Sequence, residues 1–152
     1  MQINEKAPVV TKKEGLIDAP PETVWEILSA VDAWSTWHPE ISAAALEGAF
    51  EPGTRFRWKS GSTKITSTLQ VVQRPELVGW VGKAAGGLTA RHVFHLDTEN
   101  SRTRLTIEES IDGLAARLLR RSLSRTLDRS LEAWLVGIRR RAAGECPAPE
   151  SP

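Results

Sequence analysis

"TRFRWKSGSTKITSTLQVV", residues 54–72, is where the spacing of apolar residues changes from about four to two. Phe56 and Trp58 alternate with Arg55, Arg57 and Lys59, and beyond Gly61–Ser62 the residues Ile65, Ser67 and Leu69 alternate with Lys64 and Thr66. Strict alternation marks a strand with one wet face and one buried face. Gly61 supplies the positive φ that a type II′ turn needs at its first central position. A hairpin about Gly61–Ser62 then sets Trp58 opposite Ile65 and Phe56 opposite Ser67, on a continuous inner face.

The same pattern runs on towards the C-terminus. "QRPE" (73–76) turns into "LVGWVG" (77–82), which places Trp80 opposite Leu69. "KAAGG" and "TENS" then separate "LTARHVFHLD" (88–97) from its neighbours and lead into "RTRLTIEESID" (102–112). Ala90, His92, Phe94 and Leu96 face inward beside Leu105, Ile107 and Glu109, while Arg91 and His95 face water. An opening strand near Ala7–Ala19 and a short one near Ile41–Leu46 bring the total to about seven antiparallel strands.

Two helical regions frame this sheet. "PPE" (20–22) opens the first, since proline suits the first helical turn, and Val24, Trp25, Ile27, Leu28 and Val31 form its apolar face. Trp25 is expected to pack this helix on the sheet. A second short turn carries Trp34 and Trp37 and stops before Pro39. The last element is predicted as one helix of about 30 residues, roughly 45 Å, with Asp112 as its N-cap. Its inward positions are Leu118/Leu119, Ser122/Leu123, Thr126/Leu127, Ser130/Leu131 and Trp134/Leu135, followed by Ile138. Arg117, Arg121, Arg125, Arg129 and Glu132 lie opposite.

Composition narrows the class. The 152 residues carry a formal net charge of +1, and no strong field argues for nucleic acid. Gly113–Ala143 holds eight arginines against Asp128 and Glu132, a net of +6 that leaves −5 elsewhere. One domain over residues 1–144 is expected, with a disordered tail at 145–152. The single Cys146 cannot staple it, and "MQINEKAPVV" lacks the apolar core of a signal peptide. No apolar run approaches ~20 residues, so no stable membrane insertion is expected and a cytoplasmic protein is predicted. The three histidines lack metal-ligand spacing, and no Walker loop, dinucleotide fingerprint or G-x-S-x-G elbow is present. Neither metal nor cofactor is expected.

The order strand, two helices, antiparallel strands and one long helix is similar to the helix-grip fold, an α+β arrangement in which a curved sheet wraps the terminal helix. "IDAPPETVWEIL", "AWSTWHPEI", "GTRFRW", "LVGWVG" and "TRLTIEESIDG" resemble the bacterial polyketide cyclase/dehydrase and lipid-transport family of the START/Bet v 1-like (SRPBCC) superfamily. The likeness spans about residues 8–140. It implies a cavity between sheet and helix, and no common set of catalytic residues. "FEPGT" stands where the plant allergen branch has a glycine-rich loop, and the chain has no tyrosine of the kind that several aromatic-polyketide cyclases use.

The inward polar residues are the candidates for chemistry, because a buried polar group left unpaired costs ~1–3 kcal/mol. His92 and Glu109 are predicted diagonally across adjacent strands, ~7–8 Å apart, as a general acid–base pair. The other reading of that pair is a buried histidine satisfied by its neighbour. Ser122, Thr126 and Ser130 form a hydroxyl row along the helix. With Trp37, Phe56, Trp58, Ser67, Leu69, Trp80, Phe94 and Trp134 they make up the predicted lining of a ligand cavity. Three functions follow: a monomeric or homodimeric binder of a hydrophobic, lipid- or polyketide-like molecule; a cofactor-free cyclase or dehydratase using His92 and Glu109; or a protein-interaction module using the basic helix or a sheet edge.

Overall fold

The computed structural model describes residues 1–145. Beyond Glu145 the predicted tail, Cys146 included, lies outside the described residues. Seven strands form one antiparallel sheet: β1 (Val9–Ile17), β2 (Ile41–Leu46), β3 (Arg55–Ser60), β4 (Thr63–Gln73), β5 (Leu77–Ala84), β6 (Leu88–Glu99) and β7 (Arg102–Asp112). Their order is β1-β7-β6-β5-β4-β3-β2, so consecutive strands from β2 to β7 are neighbours and β7 returns beside β1. The chain between β1 and β2 must therefore pass from one edge of the sheet to the other. Helix α1 (Pro21–Ser29) and a 3₁₀ turn (Val31–Thr36) make that crossing. Their apolar faces point at the sheet, with Val24, Trp25, Leu28, Val31 and Trp34 buried.

The hairpin about Gly61–Ser62 has the expected register, with Trp58 paired to Ile65, Phe56 to Ser67 and Leu69 to Trp80. Gly61 has φ +57° and Ser62 stays at negative φ, as a type II′ turn requires. At the β6–β7 hairpin the observed register differs from expectation. Asn100 and Ser101 both adopt positive φ, 50° and 67°, and close a two-residue loop between Glu99 and Arg102. His92 and Glu109 are thus direct cross-strand partners, not diagonal ones.

The terminal helix also departs from expectation. β7 runs through Asp112, whose carboxylate accepts hydrogen bonds from Asn4 Nδ2 at 3.2 and 3.0 Å and does not cap a helix. Gly113 makes the corner at φ +124°, where an added Cβ would sit 2.5 Å from Gly87 O. A short helix α2 (Leu114–Leu118) then kinks at Leu119 (φ −111°, ψ 27°) into α3 (Arg120–Ala142). The 23 residues of α3 span about 35 Å. Leu118 and Leu119, expected inside, are exposed. They follow the corner at Gly113, and none of the described residues covers them.

The C-terminal half of α3 lies tight against β1: an added Cβ on Gly15 would fall 3.2 Å from Leu135 Cδ2 and 2.6 Å from Arg139 Nη2. The Arg139 side chain donates to Leu16 O at 3.2 Å. On the crossing side α3 meets Trp37, whose ring lies 2.9 Å from where a Cβ on Gly137 would be. Between these contacts runs an aromatic layer. Trp34 is fully buried, donates its Nε1–H to Leu28 O at 3.0 Å, and has Phe56, Trp58, Trp80 and Trp134 at ring-centroid distances of 5.4, 5.9, 5.6 and 4.9 Å.

Replacing glycine by alanine ordinarily stabilises a helix interior by about 1 kcal/mol. At Gly137 the new methyl meets a rigid, 5 % exposed indole, so Gly137→Ala should instead lower stability by about 1–2 kcal/mol. Urea unfolding checks the sign, and a more stable variant would show that the α3–Trp37 contact is not tight.

Candidate functional site

Inner-face residues on the sheet form rows across the strands, and their sizes decide where the interior is filled. One row is bulky: Leu69, Trp80, His92 and Glu109 are successive partners on β4, β5, β6 and β7. The next row towards the Gly61 hairpin is small: Ser67, Gly82 and Ala90, ending at Ile111. Above it α3 presents Leu123, Thr126, Leu127 and Ser130. Small residues on the sheet leave a cavity of about 610 Å³ beneath the N-terminal half of α3, open towards Glu40, Ser42, Gly61 and Thr63. Trp58, Ile65 and Leu88 complete its apolar walls.

Trp58 is held in place from behind. Its Nε1–H donates to Ser67 Oγ at 3.0 Å in a buried hydrogen bond. Gly82 makes room for that hydroxyl, since a Cβ there would lie 2.8 Å from Ser67 Oγ. The indole is thereby fixed as a cavity wall with no free polar edge.

Of the residues singled out in the sequence, Trp58, Glu109, Thr126 and Ser130 line this cavity. Phe56, Trp80, Phe94 and Trp134 belong to the adjoining aromatic layer, together with Leu69 and the ring of His92. Trp37 is 5 % exposed and packs on Gly137 and Trp134, away from the cavity. Ser67 positions Trp58. Ser122 is exposed, because the kink at Leu119 turns the first residues of α3 away from the sheet. The gap expected along the whole helix is occupied over the C-terminal half by Trp34, which comes from the crossing segment.

Glu109 is the buried ionisable side chain that lines the cavity among the described residues. Its carboxyl lies 3.3 Å from His92 Nδ1, through Oε2. Burial pushes the Glu109 carboxyl up to about 8. Burial, and secondarily the neighbouring His38, pushes His92 down to about 3. An ion pair and a neutral pair hold the same single proton, and loss of water favours the neutral one: carboxylic acid beside neutral imidazole. The acid's O–H can then donate to Nδ1, which leaves the proton of the ring on Nε2.

His38 is a buried histidine that the sequence pattern did not single out. It is 3 % exposed, and its Nδ1 accepts the backbone N–H of Glu40 at 3.1 Å, which places the ring proton on Nε2. Burial lowers it to about 4. Its ring meets that of Trp134 edge to face at 4.6 Å. Among the described residues, His38 Nε2, both nitrogens of His92 and Trp134 Nε1 are buried without a conventional partner. The only sequence signal was its place between Trp37 and Pro39, which read as helix termination. No cluster of three His, Cys, Asp or Glu side chains among the described residues is placed to hold a metal ion.

A seven-stranded antiparallel sheet closed by a long C-terminal helix, with a cavity between them, defines the helix-grip class. Residues 9–142 match the model of the family described as polyketide cyclase / dehydrase and lipid transport, and the chain belongs to that family. No curated protein matches the sequence. Among solved structures, a hypothetical protein of Helicobacter pylori is similar at 17% identity and TM-score 0.81, covering 92% of this chain and 91% of that one. The Zhui aromatase/cyclase of a Streptomyces species is similar at 15% identity and TM-score 0.76, covering 88% and 93%. A START superfamily protein of Mycobacterium smegmatis is similar at 14% and 0.74, covering 89% and 97%. At these identities the likeness is one of fold.

The buried groups fix how stability depends on pH. Glu109, raised from 4.5 to about 8, contributes stability that is complete below 4.5 and lost as pH rises to 8. His92 and His38, lowered from 6.5 to about 3 and 4, contribute stability that is complete above 6.5 and lost as pH falls. Between 4.5 and 6.5 the Glu109 and His92 slopes cancel and His38 remains. Stability should therefore peak near pH 6.5 and decline by at most about 1.4 kcal/mol per pH unit up to 8 and down to 4.5, with a steeper fall below 4.5, where both histidines contribute. Urea unfolding across this range should show Glu109→Gln flattening the alkaline limb and His38→Gln the acid limb. Wild-type stability that rises from pH 6.5 to 8 would contradict the buried acid.

Proposed function

We propose that the protein binds a hydrophobic small molecule, ring-bearing or lipid-like, in the cavity beneath α3. The observation that carries this reading is the 610 Å³ space itself, walled by Trp58, Ile65, Leu88, Leu123 and Leu127. Its size is that of an ordinary small-molecule site, and its walls are apolar with a few polar groups, as such sites are. Affinity comes from apolar area removed from water, at roughly 25 cal/mol per Å². Thr126 and Ser130 supply hydroxyl donors for a guest's carbonyl or ether oxygen, and Glu109, its own proton turned to His92 Nδ1, supplies an acceptor oxygen. The flat face of Trp58, its N–H already bonded to Ser67, suits a ring or an extended chain. Membership of the polyketide cyclase / dehydrase and lipid transport family supports the reading, and an aromatase/cyclase shares the fold.

Native mass spectrometry of the purified protein tests the reading by identifying co-purifying hydrophobic compounds. Ala90→Phe projects a ring into the cavity from its floor and should abolish retention while leaving the fold intact by circular dichroism. Equal retention by that variant would place the guest elsewhere.

A second reading is cofactor-free acid–base catalysis on an enolisable, polyketide-like substrate, favoured by one observation. Glu109 is at the cavity wall with His92 3.3 Å behind it. In this reading Glu109 gives and takes the proton at the substrate, and His92 receives it from behind. Glu109→Gln would then keep guest binding and lower turnover by about 10²–10⁴-fold. A binder would show modest affinity loss and no turnover in either protein.

A further inference from the structure

The chain buries every tryptophan it has, yet leaves three leucines in water at one corner. Leu114, Leu118 and Leu119 are 71, 75 and 56 % exposed. Leu114 and Leu118 are four apart and share one face of α2, with Leu119 next to them at the kink. Ala116, fully buried, anchors the opposite face of α2 to the body of the protein. Contiguous exposed leucines on an otherwise well-packed protein mark a contact surface.

The surroundings indicate what that contact is. Arg117, Arg120, Arg121 and Arg125 are exposed around the ridge. The one acid in the first half of α3, Asp128, is paired with Lys13 at 3.0 Å. The charge is thus one-sided and leaves arginines free to meet anions. A second copy would bring the same arginines face to face across a two-fold axis, where like charges repel. An apolar ridge with a basic collar fits an anionic bilayer, with leucines entering the acyl boundary and arginines on the headgroups.

The position gives the contact a consequence. Leu123, which lines the cavity, is one turn beyond Leu119, and its N–H donates to Leu119 O at 2.9 Å. The ridge is therefore at the cavity's helical rim. No helix among the described residues is long and apolar enough to cross a membrane, so such a contact is peripheral.

We propose that α2 and the start of α3 form a docking surface for anionic phospholipid bilayers, holding the cavity rim at the lipid boundary. That the cavity's guest passes to or from the bilayer there rests on the binding reading above; the docking itself does not. Flotation with vesicles of phosphatidylcholine, alone or with about 30 mol% phosphatidylglycerol, tests it. Binding is expected to the anionic vesicles at low salt and to disappear near about 0.5 M salt. L114S/L118S/L119S, altered only at exposed positions, should bind at least about tenfold more weakly with unchanged melting temperature. R117Q/R120Q/R121Q should lose the preference for phosphatidylglycerol. Ala90→Phe should float like the wild type although its cavity is filled, so docking and guest binding fail separately. Absence of flotation, equal binding to both vesicle types, or undiminished binding by the leucine variant would each overturn the proposal. So would a concentration-dependent dimer that the leucine variant abolishes, since the ridge would then belong to a second copy.

Discussion

The contact between Trp34 and Trp134 is the one on which the rest of the interior depends. Trp34 arrives on the segment that crosses from β1 to β2, and Trp134 on the closing helix, and the two rings meet edge to face at 4.9 Å. Each also touches the sheet, Trp34 through Phe56 and Trp80, Trp134 through Trp80 and Phe94. Sheet, crossing and helix are thus joined at one place by aromatic pairs worth about 0.5–1.5 kcal/mol each beyond their buried area. Because α3 is clamped there and against β1, its other half can stand off the sheet without the fold coming apart. The cavity exists where the clamp ends.

That division explains how tryptophan is used in this chain. Five of the six lie in or beside one layer, and their rigid bulk fills a gap that leucines would fill only with lost rotamer freedom. Trp58 belongs to both halves: one side meets Trp34, the other is a wall of the cavity. The small row Ser67–Gly82–Ala90 has two consequences at once. It withholds side-chain volume below α3, and through Ser67 it fixes the Trp58 indole. Enlarging Gly82 would affect both, since a Cβ there meets Ser67 Oγ at 2.8 Å.

Much of the fold was legible because alternation and turn chemistry agreed. Gly61 in its II′ turn set the β3–β4 register, and that register carried Trp80 opposite Leu69 and placed the inner face correctly. The β6–β7 register was not legible, because Asn100–Ser101 closes a tight loop in which a serine takes positive φ, and no glycine announces it. The helix start failed for a non-local reason. Asp112 looked like a cap, but Asn4, more than a hundred residues away, occupies its carboxylate. The apolar pair Leu118/Leu119 fitted the helical period and still points outward, since periodicity shows which face is apolar and not whether anything covers it. Of the residues that line the cavity, Glu109, Thr126, Ser130 and Trp58 were placed on the inward faces by pattern. That Trp34 would enter the gap, and that His38 would be buried beside Trp134, depended on where the crossing segment lands.

The proton on the Glu109–His92 pair follows from the same architecture. The bulky row that ends the packed half carries both groups, so their water is lost to packing on one side and replaced by cavity on the other. A carboxylate there would need a cation within a few ångströms, and its partner among the described residues, the His92 imidazole, is itself held neutral by burial and by His38. Burial raises the Glu109 carboxyl to about 8 and so favours the protonated acid, whose O–H can donate to His92 Nδ1. On the binding reading, an apolar guest that expels the remaining water from this wall holds the proton still more firmly, and by linkage the protonated wall holds such a guest more firmly than an ionised one would. On the same reading, burial of this one carboxyl favours an uncharged guest over an anionic one.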